Sequence, residues 1–274
     1  MKILFAGDIV GRPGRKAIQE LYPRVKEEHS IDLFIANGEN AAGGSGITPD
    51  IVRELHSLGV DVITMGDHVW KQKDILKIID EDALLVRPAN FPPGTPGRGS
   101  TILEVRGKGK VGVVNVLGRM LMFRLPLDCP FRAAEKEVQE LRKQTHIIVV
   151  DVHAEATSEK LAFGRFLDGR VSAVVGTHTH VQTADEVIHE GGTAYITDCG
   201  MTGPFRSILG RDIEPVLKSF VTRMPNYFSV AREDLRLSGV VLDIDEKTGK
   251  ARKIERVHVR HEGGDKAAEE EQDE

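Results

Sequence analysis

A chain of 274 residues, 40% hydrophobic and 29% charged, is long enough to bury a large core and has the composition of an ordinary globular protein. A net charge of −5 advertises no basic surface for a duplex backbone or an anionic membrane, so neither long nucleic acid nor a membrane is an expected partner. Cys129 and Cys199 cannot make a disulfide framework, and no run of about 18 uncharged apolar residues is present, so a cytoplasmic protein is expected.

Ile3 to Ala6 read as a buried strand ending in Gly7-Asp8-Ile9-Val10-Gly11-Arg12-Pro13-Gly14. An acid directly after a strand, ahead of a glycine-rich turn, is where an α/β sheet places ligand-binding side chains; Asp8 is equally a candidate helix cap. The glycines do not spell Gly-x-Gly-x-x-Gly and no Walker lysine follows, which argues against a nucleotide-cradling loop. The next helix puts Ala17, Ile18, Leu21, Tyr22 and Val25 on one face, and Pro23 predicts a kink or an early end. Leu33 to Ala36 form a second apolar run that delivers Glu39 and Asn40 to a glycine-rich loop. Thr48 as cap, Pro49 at the first position, Val52, Leu55 and Leu58 on one face and Gly59 at the end mark another helix. Val62 to Met65 then close in Gly66-Asp67-His68, the third strand end in succession to present polar side chains.

Lys71 to Ile79 suggest a helix, Leu84 to Arg87 a strand, and the proline- and glycine-rich stretch Asn90 to Gly99 an ordered loop, with no domain boundary. Thr101 to Val105 and Val111 to Leu117 read as a hairpin with a solvated basic tip. Gly118 to Leu125 are an apolar excursion that can serve as core, lid or contact surface. An amphipathic helix over Phe131 to Gln144 precedes a central strand, Ile147 to Val150, which emits Asp151, His153 and Glu155. His153 can be a satisfied core histidine or a ligand. After a helix through Leu161 and Phe166, the run Val171 to Gly176 stops at His178 and His180, whose spacing sends both off the strand end on one side; the pair suits a first-row metal and, taken alone, fits a surface His-x-His in a loop as well. Thr193 to Thr197 are a strand closed by Asp198-Cys-Gly near the same edge, and two late strands span Gly239 to Ile244 and Ala251 to Val259. The whole reads as one α/β domain over 1–262, with an acidic tail, 263–274, expected to be disordered.

Together the strand ends offer Asp8, Glu39, Asn40, Asp67, His153, His178 and His180, an oxygen and nitrogen set large enough for two metal ions, with Glu39 the natural bridge and His68 the leftover general acid. Mixed carboxylate and imidazole ligation without thiolate suits Fe or Mn, with Zn less favoured.

Gly7-Asp8, Gly38-Glu39-Asn40, Gly66-Asp67-His68, His153 and Gly176-Thr-His178-Thr-His180 resemble the order of the calcineurin-like metallophosphoesterases. From Met1 to about Val259 the chain is similar to the YmdB family of bacterial phosphodiesterases, most specifically at Glu39 to Gly44, Asp151 to Glu159 and Gly176 to Val181. The resemblance implies a four-layer αββα sandwich of mixed sheets, a dinuclear iron or manganese site and hydrolysis of 2′,3′-cyclic nucleotides. It also implies a homo-oligomer, dimer or tetramer, and a link to post-transcriptional regulation. Carried over by position, Asp8, Glu39, Asn40 and His180 would hold one metal and Glu39, Asp67, His153 and His178 the other. His68 would protonate the leaving sugar oxygen as a metal-activated water attacks phosphorus in line. The family usually has asparagine where this chain has Asp67; an ionised aspartate donates no hydrogen bond and sets a negative charge beside the phosphodiester. That departure leaves open an alternative, a metal- and nucleotide-binding regulatory protein with weak turnover, and the ligands alone also fit a hydrolase of a non-phosphate ester or amide.

Overall fold

The structure, a computed structural model, describes residues 1–122 and 125–262. In chain order the elements are β1 (Lys2–Ala6), β2 (Asp8–Ile9), α1 (Gly11–His29), β3 (Leu33–Asn37), α2 (Pro49–Ser57), β4 (Val62–Thr64), β5 (Leu85–Val86), β6 (Ser100–Val105) and β7 (Gly109–Leu117). The second half adds α3 (Pro130–Leu141), β8 (Ile147–His153), α4 (Thr157–Phe166), β9 (Ala173–Thr177), β10 (Val187–Ile188), β11 (Ala194–Ile196), β12 (Met201–Pro204), α5 (Ile213–Thr222), β13 (Leu235–Ile244) and β14 (Ala251–Arg260).

Strand periodicity builds the layers. In β1, Ile3 and Phe5 point one way and Leu4 and Ala6 the other; in β8, Ile147 and Val149 face inward and Ile148, Val150 and Val152 outward. Two mixed sheets result. One runs β2-β12-β13-β1-β3-β4-β5, with β14 on the other side of β13, and the other runs β10-β11-β9-β8-β7-β6. Their inner faces meet through Ile3, Phe5, Ile35 and Leu242 against Val111, Val113, Val149 and Val175. Ala17, Ile18, Val25, Val52 and Leu55 from α1 and α2 cover the first sheet; Ala134, Val138 and Phe163 from α3 and α4 cover the second. Each Val, Leu, Ile or Phe among them contributes about 1.5–3 kcal/mol when fully buried. The outcome is the expected α/β four-layer sandwich.

Local readings hold with two corrections. Thr48 caps α2 by accepting from the Ile51 amide at 3.4 Å, and Gly59, at φ 95°, follows its end. Helix α1, however, does not stop at Pro23: the ring and Gln19, whose carbonyl loses its partner, lie on the exposed side, while Leu21, Tyr22 and Val25 stay buried on either flank. Lys71 to Ile79 make only one 3-10 turn, Lys73–Lys77, with bonds that run three residues back, as from the Ile75 amide to Gln72 O. Helix α5 and the short strands β10 and β12 were not anticipated. Positions 123 and 124 of the apolar excursion, and the tail 263–274, lie outside the described residues.

Candidate metal centre

The inward phase of β8 that buries Ile147 and Val149 continues into Asp151 and His153, so the strand changes from apolar to polar just as it reaches the rim. Strands β3 and β4 of the opposite sheet do the same, ending in Asn37 and Thr64. Asp151 accepts from Thr64 Oγ1 at 2.5 Å, Thr177 Oγ1 at 2.7 Å and Asn37 Nδ2 at 3.1 Å, tying the two sheets together behind the rim. Because the Thr177 hydroxyl donates to Asp151, it accepts from His153 Nδ1 at 2.9 Å, and this turns His153 Nε2 toward the acids.

That nitrogen lies 3.2 Å from Glu39 Oε2, 3.3 Å from Asp67 Oδ1 and 3.0 Å from His178 Nδ1. One ligand atom each from Glu39, Asp67, His153 and His178 falls within 4.8 Å of the others. Gly66 makes this possible: a Cβ there would overlap Glu39 Oε2 and His153 Nε2. His178 is fixed through its outer nitrogen, 3.3 Å from Glu155 Oε2.

The remaining candidates flank Glu39. Asp8 is no helix cap, since α1 starts after Val10 without a side-chain cap; its Oδ2 accepts the His178 amide at 3.0 Å. Asp8 Oδ1 is buried without a hydrogen-bond partner, 3.8 Å from His153 Nδ1 and 4.0 Å from His180 Nε2. Asn40 donates from Nδ2 to Glu39 Oε1 at 2.9 Å, lies 3.1 Å from His180 Nε2, and keeps Oδ1 for His68 Nδ1 at 2.9 Å. All eight residues singled out in the sequence therefore meet at one rim. His178 and His180 reach it with left-handed backbones, φ 101° and 66°, a conformation that costs about 1–3 kcal/mol per non-glycine residue. Spacing along the strand gave no hint of that strain, nor of the Asn37–Asp151–Thr177 layer, although Asp151 two residues before His153 on the same strand face is its visible trace.

The electrostatics ask for a cation. Burial pushes the Asp8 carboxyl up to about 6 despite the neighbouring His180 and His153. Burial also works against ionised Asp67, yet the His153 hydrogen bond and the charges of His153, His68 and His178 outweigh it and hold that carboxyl well below its usual range. His153, though fully buried, is raised well above an ordinary histidine because Glu39, Asp67 and Asp8 surround it. Burial and the His153 charge lower His178 to about 4, which keeps it neutral and able to ligate. Three acids that favour positive charge at their centre, an unpartnered buried carboxylate oxygen and two turned-in imidazoles fit a metal pair.

Known proteins resemble this chain over nearly its whole length. A chain from Bacillus subtilis (strain 168) named 2′,3′-cyclic-nucleotide 2′-phosphodiesterase is 54% identical over 257 residues, covering 94% of this chain and 96% of that one. Among solved structures, a protein of Thermus thermophilus superposes with a TM-score of 0.88 at 41% identity, covering 95% of this chain and 99% of that chain. A phosphatase of Mycoplasma pneumoniae gives the same TM-score, 0.88, at 36% identity, with 95% and 93% covered. The model of the YmdB-like proteins matches residues 4–257, and with the fold and the whole rim inside that match, the chain belongs to the YmdB-like family.

Proposed function

We propose that the chain is a dinuclear metal-dependent phosphodiesterase that opens 2′,3′-cyclic nucleotides. The observation that carries this is the meeting of Glu39, Asp67, His153 and His178 within 4.8 Å beside the unpartnered Asp8 Oδ1. The activity named for the Bacillus relative supports the substrate class. Asp8, Glu39, Asn40 and His180 would hold one ion and Glu39, Asp67, His153 and His178 the other, Glu39 serving both. For Asn40 to ligate through oxygen its amide must turn over, since Nδ2 now faces Glu39 and His180. When bound, such a pair lowers the pKa of water and neutralises the phosphoryl oxygens. Iron is the first candidate, manganese the second and zinc the least favoured.

The chain's own part is to orient and to move a proton. His68 is partly exposed, its amide donates to Glu39 Oε2 at 3.1 Å, and its Nδ1 is held by Asn40, so Nε2, 3.6 Å from Asp67 Oδ2, is the nitrogen left to act. Water adds to phosphorus and releases one proton to solvent, the ring P–O bond breaks, and His68 gives its proton to the departing sugar oxygen, to be reprotonated from solvent afterwards, leaving a phosphomonoester and a free hydroxyl. Purified protein loaded with manganese and given 2′,3′-cAMP tests this by chromatography of the product. Hydrolysis no faster than in His68→Ala rejects the reading.

A second reading rests on Asp67. Its carboxyl is held ionised by the histidines around it, so it repels a phosphodiester more than an amide would, which favours a nucleotide-binding regulator with weak turnover. Slow hydrolysis that Asp67→Asn accelerates would support it. Self-association is part of the proposal too, supported by Leu217, Phe220 and Val221, exposed on α5; light scattering that finds a monomer removes it. Among the described residues no helix is long and apolar enough to cross a membrane.

A further inference from the structure

Behind the His178-Thr179-His180 turn lies a charged pair that the proposed reaction does not use. Lys160, on α4, is buried and donates from Nζ to Asp198 Oδ2 at 2.7 Å; Asp198 is equally buried. Helix α4 packs on the outer face of the second sheet, so the lysine stem has to cross β9 to reach that carboxylate. It passes at Gly176, where a Cβ would lie 3.1 Å from Lys160 Cδ and would overlap Thr197 O.

Asp198 spends its oxygens on the turn and on its own loop. Oδ2 accepts from the Thr179 amide at 3.1 Å and from Thr179 Oγ1 at 2.7 Å, and Oδ1 accepts from the Gly200 amide at 2.8 Å. The loop it stabilises is wedged between the two strand ends that carry candidate ligands. Cys199 donates its amide to Gly176 O at 2.8 Å, on the side of His178, and Gly200 O accepts the Asp8 amide at 3.1 Å, on the other. Gly7, just before Asp8, has no room for a Cβ against Gly200 O. Segment 197–200 is therefore a spacer in backbone contact with both sides, and Lys160 is the buried partner that holds its acid in place.

We propose that Lys160, Asp198 and Thr179 form a positioning device that holds the left-handed turn at His178 and His180 at its working distance from Asp8. This rests on the dinuclear reading. None of the three touches a candidate ligand atom: they act through the Thr179 backbone and hydroxyl and through the spacer. The half of the site that needs Asp8 and His180 depends on them most, because among the described residues His180 has only Leu209 O, at 3.1 Å from Nδ1, to steady its ring from outside the rim. The half built on Glu39, Asp67 and His153 is fixed from the Asp151 layer instead.

The experiment is a manganese titration of the full chain, followed by low-temperature electron paramagnetic resonance, where a spin-coupled pair and an isolated ion give different spectra. Thr179→Val removes the hydroxyl at nearly constant volume and leaves the buried ion pair intact; Thr179→Ser restores the hydroxyl; Asp198→Asn weakens the hold from the other end. In Thr179→Val the half-saturation point of the second manganese equivalent is expected to rise by roughly 10- to 100-fold, the range seen when outer-shell partners of a metal site are removed. The isolated-ion signal should then appear before the coupled one, and Thr179→Ser should return the wild-type order. If Asp198→Asn fails to fold, Thr179→Val decides alone. A valine variant whose second equivalent binds as in wild type, or a serine variant no better than valine, overturns the inference. Wild-type protein that takes up fewer than two manganese ions sinks the proposed function and the inference together, whereas two in wild type and two, equally tight, in the variants sink the inference only.

Discussion

On one side of Glu39, ligand atoms from Glu39, Asp67, His153 and His178 lie within 4.8 Å of one another, whereas on the other Asp8 Oδ1 stands 4.0 Å from His180 Nε2 and Asn40 turns its nitrogen inward. The two sides are built differently. His153 ends a strand whose register against Thr177 is set by seven residues of parallel pairing on one flank and five on the other, and a hydrogen-bonded layer backs it. His180 sits past its strand, at the end of a left-handed turn. Sheet register places a side chain for nothing beyond the fold itself, but a residue in a turn needs dedicated partners. Precision on the second side is therefore the more fragile.

Mutations can break that contrast. Glu39 serves both sides, so Glu39→Gln is expected to remove both ions and several kcal/mol of transition-state stabilisation, roughly a thousandfold or more in kcat/KM, read by elemental analysis and product assay together. His68→Ala should lower kcat by roughly 10²- to 10⁴-fold with the metal content of wild type; loss of metal as well would mean that His68 is a ligand rather than a proton donor. The sides separate in the next pair. His180→Ala is expected to retain one manganese per chain, bound as the first equivalent of wild type, and His153→Ala at most one, bound at least roughly tenfold more weakly, and equal affinities in calorimetric titrations would erase the distinction. Asp67→Asn tests charge alone: kcat/KM should rise roughly tenfold, about 1.4 kcal/mol, if repulsion of the substrate limits turnover.

The smallest effect lies away from the rim and serves as the control. His56 Nε2 is 3.3 Å from Asp82 Oδ2; the pair raises His56 through the Asp82 hydrogen bond and lowers Asp82 through the same bond. A raised histidine contributes stability that is complete below its unfolded value, near 6.5, and is lost as pH climbs through the folded value. A lowered carboxyl contributes above its unfolded value, near 3.8, and that part is lost as pH falls through the folded value. His56→Gln should thus cost stability, by about 1 kcal/mol or less, with the fall in Tm largest at about pH 5 and shrinking as pH climbs through the folded value, and with manganese uptake untouched. A Tm difference that grows toward alkaline pH would reverse the assignment.

Much of the rim could be read beforehand because strands announce themselves by period and end in polar residues. Asp8, Glu39, Asp67, His153 and His178 each follow a run such as Leu33 to Ala36 or Val171 to Gly176 within a few positions. What stayed hidden depends on partners remote in the chain. Lys160 and Asp198 are 38 residues apart, and nothing local in either segment tells that a lysine on an outer helix crosses a strand to meet an acid after another. Asn40 could be named as a polar neighbour of Glu39, but which amide atom faces His180 is decided by His68. Helix α5 is different: Ile213, Val216, Leu217, Phe220 and Val221 repeat at helical spacing, so its stripe is written in the sequence, and what the sequence does not tell is that this stripe faces outward with only Val216 buried.

The bare α-carbon at Gly66 has a consequence for how this protein can change. Since even a methyl group there would intrude on Glu39 and His153, that backbone link admits no replacement that keeps the rim closed, while its neighbour Asp67 can trade charge for neutrality at nearly equal size. Retuning of the site, by nature or in the laboratory, thus has to proceed through the identity of the groups that line it, because their spacing is locked by a residue with nothing left to remove.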